Sequence, residues 1–492
     1  MRYSAVLLVS ILCLAGGLAG AAEIQMQGDR LSLKANREPL RIVLKEFVRA
    51  GVRVKLDPHI EATVAGQFKD EEIQQALGAL FEPFGYVLIW DVIPGPLGQI
   101  PKLAEIQIFK PGEKENMEPL IEETGNLVVA TGPNGKTLFV KDEILIGIKP
   151  GTSIEEFKTL LSQLGATLVD SIPELGIYRI RLAAGSNILA LVEQLKKNSI
   201  VAAVEPNYVI KMPNPLVPGT PLPPTAQPSG IVAAKGTAPV AILDSGLQPY
   251  TQMDALIAGR YDALNPDRTL TDPLGHGTQM ALLACGLIQP EETGSELDQT
   301  GLPVVAIKAF DDNGYASSYS LMQSINYAIG QDARAINMSW GSEVNSEFLA
   351  DSIAYAQAKG LVVVASAGNE PTGKAIYPAA YPGVVGVSAV SPSGTLWDQS
   401  NYGDFVTAAA PGYATFPVGY EGPSGAYAGT SISAAYVTRA FGLYFAENPK
   451  ATTTEAVTAF KSALTDTGAK GKDAQYGYGV LDTAAMNRFL NK

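Results

Sequence analysis

Beyond Ala238 the chain returns repeatedly to a short, unbroken apolar run, at residues 240–243, 304–307, 335–338, 361–365 and 384–390. A strand with one wet face alternates apolar and polar residues, so strands without alternation must be covered on both faces. Stretches with helical spacing, such as 319–329 and 347–359, fall between the runs. Buried parallel strands separated by helices predict a doubly wound α/β domain, with its site at the carboxyl ends of the strands.

That domain takes about half of the 492 residues, and two to four domains are expected in all. The formal charge of -13 excludes nucleic acid as a partner, since little here would neutralise phosphates.

Three residues at predicted strand or turn ends carry chemistry. Asp244 closes "PVAILD", His276 stands in "LGHGT" between two glycines, and Ser431 stands in "AGTSISAAYV", where a turn runs into a helix. Singly, a carboxylate at a strand tip or a serine at a helix start is most often a cap. Counting changes the balance. The chain has two histidines, and the other, His59, lies far upstream in "DPHIE", so His276 is the available base. The order acid, base, serine is one of the known orders of the Ser-His-Asp triad. The α/β-hydrolase order places its histidine last, and no histidine follows Ser431. Histidine can take the serine's proton near neutrality, the aspartate can hold the imidazole's tautomer, and the serine then attacks a carbonyl. The oxyanion needs donors: Asn369, at the tip of "VVVASAGNE", offers its amide and Ser431 its backbone N–H.

With these residues in place the chain from about 239 to 490 resembles the subtilisin-like serine proteases. Asp-Ser-Gly, His-Gly-Thr, Ser-Trp-Gly, Ser-Ala-Gly-Asn and Gly-Thr-Ser occur in that family's order, as does the "YGYGVLD" ending. The resemblance implies peptide-bond hydrolysis. It also implies that Ser339, Trp340 and Gly341, with residues 315–317, pair with an extended substrate strand, a form of β-augmentation. Ala365, Ser366, Ala367 and Gly368 would wall the pocket for the residue before the cut, and a cis bond at Tyr377-Pro378 fits the family. No cofactor is required. Calcium is common in the family, yet no carboxylate cluster here has recognisable ligand spacing. Gln279 stands where the family has a second histidine, Ile432 replaces its methionine, and Ala435-Tyr436 replaces its Pro-His.

Residues 143–212 read β-α-β-β-α-β, a ferredoxin-like order, with strands at 144–148, 168–171, 177–182 and 200–204. "ILIGIKPGTSIEEF" and "VAAVEPNYVI" resemble the propeptide of the same proteases, an intramolecular chaperone and inhibitor. Seven prolines between 213 and 228 mark an extended linker, the natural place for a maturation cut.

Residues 23–110 form a small αβ module, with a helix at 40–50 ended by Gly51, further strands, a second helix at 72–84 and a closing strand at 86–90. The pattern is similar to the short N-terminal domain of secretins and TonB-dependent receptors, which implies an envelope protein partner. Residues 1–22 have a positive start, an apolar run and small residues before Glu23, a cleaved export signal that places the protein outside the cell or in the periplasm. Without that segment only Cys285 remains, in an apolar stretch expected to bury it. The rival to a secreted endopeptidase is an inactive scaffold of the same fold that binds partners through residues 23–110.

Overall fold

The computed structural model describes residues 23–120, 127–214, 232–233, 237–266, 268–291 and 300–491. The expected export signal at 1–22 and all but the first two residues of the proline-rich stretch 213–228 lie outside the described residues. The chain forms two compact units. One comprises Met1–Pro94, Gly98–Glu122 and Lys158–Leu168, the other Gly95–Leu97, Glu123–Phe157 and Val169–Lys492.

In the first unit β1 (Glu23–Gln27), β2 (Arg30–Pro39) and β4 (Thr63–Glu72) form an antiparallel sheet. A second sheet has the order β5-β6-β3-β7, from β3 (Arg53–Leu56), β5 (Gly85–Gly95), β6 (Gly98–Phe109) and β7 (Glu118–Pro119). Helix α1 (Leu40–Arg49) buries Leu40, Val43, Leu44 and Phe47, which lie at helical spacing, and α2 (Ile73–Phe81) buries Ile73, Leu77 and Phe81. The strand at 86–90 does not close the module. It extends to Gly95, and β6 follows it into the middle of the sheet. The buried apolar residues of β6 at 100, 103, 106 and 108 mix steps of three and two, so neither period stands out in the sequence.

The second unit begins with β8 (Val129–Thr131), which pairs with β9 (Leu138–Ile148). Along the chain there follow α3 (Ile154–Leu164), β10 (Thr167–Ile172), β11 (Ile177–Arg181), α4 (Ile188–Leu195) and β12 (Val201–Lys211), residues 158–168 being counted with the first unit. The order β10-β11-β9-β12 is that of a ferredoxin-like sheet. One expectation is corrected: β12 does not stop at Val204. Its pairing with β9 is irregular between Val201 and Ala203 and again between Pro206 and Tyr208, and the strand runs on past the proline to Lys211.

After a two-residue pairing of β13 (Val232–Ala233) with β16 (Thr300–Gly301), the chain builds one seven-stranded parallel sheet. Its strands are β14 (Val240–Asp244), β15 (Ile257–Asp262), β17 (Val304–Lys308), β19 (Ala335–Met338), β20 (Val362–Ser366), β21 (Val385–Val390) and β22 (Val406–Pro411). The order is β15-β17-β14-β19-β20-β21-β22. The first strand is therefore central, and the topology reverses between β14 and β19, opening a crevice at their carboxyl ends. The two edge strands show no unbroken large apolar run, because β15 carries Gly259 and Arg260 and half of β22 is alanine. Helix α5 (His276–Cys285) packs on α8 (Thr430–Glu447), and α6 (Ser318–Gly330) on α7 (Glu347–Ala358). All of α8 from Thr430 to Phe445 is buried, so its apolar residues have no preferred face. Cys285 is fully buried, and burial pushes its thiol up to about 11, as befits an inert core cysteine.

Candidate active site

Asp244 ends β14 at the reversal point and its backbone oxygen accepts from Ala309 N at 2.8 Å. Its Oδ1 lies 2.7 Å from His276 Nδ1 and accepts from Ser245 N at 2.8 Å. Asp244 is fully buried and His276 is 3% exposed, so little water screens the pair. Asp244 Oδ2 is buried with no hydrogen-bond partner among the described residues.

His276 opens α5, and the backbone crowds it on both sides. Gly275 has φ 88°, and a Cβ there would meet Gly419 O at 2.0 Å. A Cβ on Gly277 would meet Gly246 O at 2.5 Å. Only glycine fits at either position.

A second carboxylate, unremarked in the sequence, organises this turn. Asp272 Oδ1 accepts from Ser245 Oγ at 2.7 Å and Gly275 N at 2.9 Å. Its Oδ2 accepts from Thr278 N at 2.8 Å and Thr278 Oγ1 at 2.6 Å. Ser245 Oγ in turn accepts from Gly277 N at 2.9 Å. The acid's neighbour and the base's turn thus share one buried anchor.

Ser431 is the second residue of α8 and 5% exposed. Its Oγ donates to Ser339 O at 3.2 Å, and no bond joins it to His276. Asn369, just beyond β20, accepts at Oδ1 from Thr430 N at 3.0 Å and Thr430 Oγ1 at 2.8 Å. Both acceptances fix the amide's orientation and leave Nδ2 as the donor.

The residues expected to pair with a substrate strand divide. Ser339 Oγ donates to Ser431 O at 3.2 Å, which ties the end of β19 to the start of α8. The Trp340 ring is a core group: it is 1% exposed, and its Nε1 donates to Leu243 O at 2.9 Å. The ring is therefore not available to a substrate strand. A Cβ on Gly341 would meet Ile376 at 2.4 Å. Ala365, Ser366 and Ala367 are buried, while Gly368 is half-buried with φ 104°. Tyr377-Pro378 is cis. Strand β18 (Tyr315–Ser317) is already occupied. β12 pairs with it antiparallel, Val209 opposite Ser317, Ile210 opposite Ala316 and Lys211 opposite Tyr315.

The segment leading into that pairing also holds the catalytic-domain helices. Glu205 accepts from Ser346 Oγ and, at 3.1 Å, from Glu347 N at the start of α7. Asn207 Oδ1 accepts from Tyr319 N at 3.1 Å at the start of α6, and its Nδ2 donates to Glu143 at 2.9 Å. Each helix start thus finds an acceptor for its free N–H groups. Glu143 is buried, which disfavours its charge, but Arg179 and Arg181 outweigh burial and bring it down to about 2. Burial pushes Glu205 up to about 7, against the hydrogen bonds from Ser346 and Glu347.

Among the described residues no group of three or more His, Cys, Asp or Glu is placed to hold a metal ion. Likewise, no helix is long and apolar enough to cross a membrane.

An α/β domain with a buried aspartate–histidine pair at its reversal point follows a ferredoxin-like domain in the chain. Comparison with known proteins gives the family. Residues 235–479 match the subtilase family and residues 126–207 the fervidolysin N-terminal prodomain. The chain is 32% identical over 250 residues to the minor extracellular protease Epr of Bacillus subtilis, across 50% of this chain and 38% of that protein. It is 30% identical over 216 residues to thermitase of Thermoactinomyces vulgaris, across 43% of this chain and 76% of thermitase. The fold is also that of fervidolysin from Fervidobacterium pennivorans, with a TM-score of 0.56 at 20% identity over 75% of this chain and 64% of that one. The chain belongs to the subtilase family.

Proposed function

We propose that Asp244, His276 and Ser431 are the catalytic triad of a secreted, self-processing endopeptidase that cleaves polypeptides. The observation that carries this is the buried 2.7 Å pairing of Asp244 Oδ1 with His276 Nδ1 at the sheet's reversal point. Ser431 Oγ leaves the Ser339 carbonyl, gives its proton to His276 and bonds to the substrate carbonyl carbon. Asp244 stabilises the imidazolium. Asn369 Nδ2 and Ser431 N hold the oxyanion. His276 then returns the proton to the leaving amine, and water releases the acyl group by the same path in reverse.

Residues 1–22 direct export, and residues 143–212 act as the chain's own inhibitor until it is cut. Residues 23–110 form a docking module for an envelope protein; a full-length chain that retains no envelope protein in a cross-linked pull-down would remove that part of the proposal. Labelling by a fluorophosphonate tests the triad: the wild type should label at Ser431, and absence of labelling in correctly folded protein would favour the inactive scaffold.

A further inference from the structure

The exit of β12 meets the catalytic histidine through one tyrosine. After Lys211, Met212 N continues the ladder by donating to Gly314 O at 2.8 Å. Pro213 has no N–H, so the ladder ends there. Its carbonyl is taken instead by the hydroxyl of Tyr420. The Tyr420 ring lies 4.7 Å from the His276 imidazole, centre to centre, and is itself buried.

Tyr420 sits between β23 (Tyr413–Phe416) and β24 (Gly425–Ala428), an antiparallel pair that leads into Ser431. This loop is fixed to the helix that carries the base. Gln279 Nε2 donates to Val418 O at 2.8 Å, Glu421 N donates to Leu274 O at 2.9 Å, and Tyr420 N donates to Tyr427 Oη at 3.0 Å. Gln279 is the residue that stands where related proteases have a second histidine. Its amide here serves the loop.

We propose that Tyr420 is a positioning residue that stores the proenzyme's own exit strand uncut. Its hydroxyl holds the Pro213 carbonyl and its ring covers His276, with Gln279 fixing the loop that carries it. A carbonyl bonded to a phenol is not in the hands of the oxyanion donors, Asn369 Nδ2 and Ser431 N. Asn369 Nδ2 indeed donates no hydrogen bond among the described residues. Cutting near residue 213 therefore requires Tyr420 to release that carbonyl and uncover the imidazole. The same tyrosine then limits how fast the proenzyme matures. This inference rests on the proposed triad.

The test compares two rates in full-length chain: self-cleavage, followed by intact mass, and fluorophosphonate labelling of the same sample. Tyr420→Phe keeps the ring and removes the hydrogen bond. It should raise the ratio of self-cleavage to labelling by about three- to tenfold, the worth of one hydrogen bond. Gln279→Ala, which frees the loop without touching Tyr420, should raise the ratio in the same direction. A general packing defect would lower both rates together and leave the ratio where it was. An unchanged or lowered ratio in both variants overturns the storage role. A wild type that neither labels nor cuts overturns the proposed triad itself, a different outcome from labelling with an unchanged ratio.

Discussion

At the scale of single residues, the proposed chemistry divides between groups that touch substrate and groups that aim them. Removing Ser431 Oγ should cost on the order of 10⁶ in kcat, the magnitude found for the serine of the relative subtilisin. Asn369→Ala should cost about 10²–10³ in kcat with little change in KM, again as subtilisin shows on losing its own oxyanion asparagine. Peptide hydrolysis by the purified variants checks both. Asp272 aims rather than touches. Its four accepted hydrogen bonds span Ser245, Gly275 and Thr278, so Asp272→Ala leaves buried donors unpaired on both sides of the acid–base pair. The variant should lose kcat more than KM. An equal rise of KM at constant kcat would place Asp272 outside the site. The proposed triad rests, in the sequence, on counting histidines, which leaves one base. Asp272 was not legible there, since an aspartate four positions before a histidine reads as an ordinary turn residue.

At the scale of elements, the strand β12 does more than close a sheet. Its Glu205 and Asn207 meet the starts of α7 and α6, and its end lies along β18. Glu205 titrates with a sign opposite to that of a salt-bridged carboxylate. Its pKa is raised from the ordinary 4.5 to about 7, so the docked state holds a proton that the undocked state releases over that range. The stabilisation is full below pH 4.5 and is lost as pH rises through about 7, by up to about 1.4 kcal/mol per pH unit. Glu143, brought down to about 2, behaves in reverse and is lost only in strong acid. In an uncleavable Ser431→Ala background, Glu205→Gln should therefore flatten the fall of the thermal midpoint between these pH values. An identical pH slope with and without Glu205 would refute the assignment. The strand's length was hidden in the sequence by Pro206, which ordinarily ends a strand, and only the two irregularities in pairing let it continue.

At the scale of the whole molecule, the seven-stranded parallel sheet was largely written in the unbroken apolar runs, because strands covered on both faces leave no room for alternation. The ferredoxin-like order was equally plain. What the sequence could not show was the meeting of distant segments: Tyr420 on His276, Pro213 on Tyr420, and β12 on β18. These pairings depend on three-dimensional closure and leave no local period. They also explain why β18, which the family resemblance assigns to substrate, is filled by the chain's own strand. The central claim is that this chain cuts itself with Ser431. Intact mass and N-terminal sequencing of the purified wild type beside Ser431→Ala test it most directly. The account predicts a wild type cut between about residues 207 and 238 and a variant that stays whole. Cleavage of both at the same bond, or of neither, would contradict it.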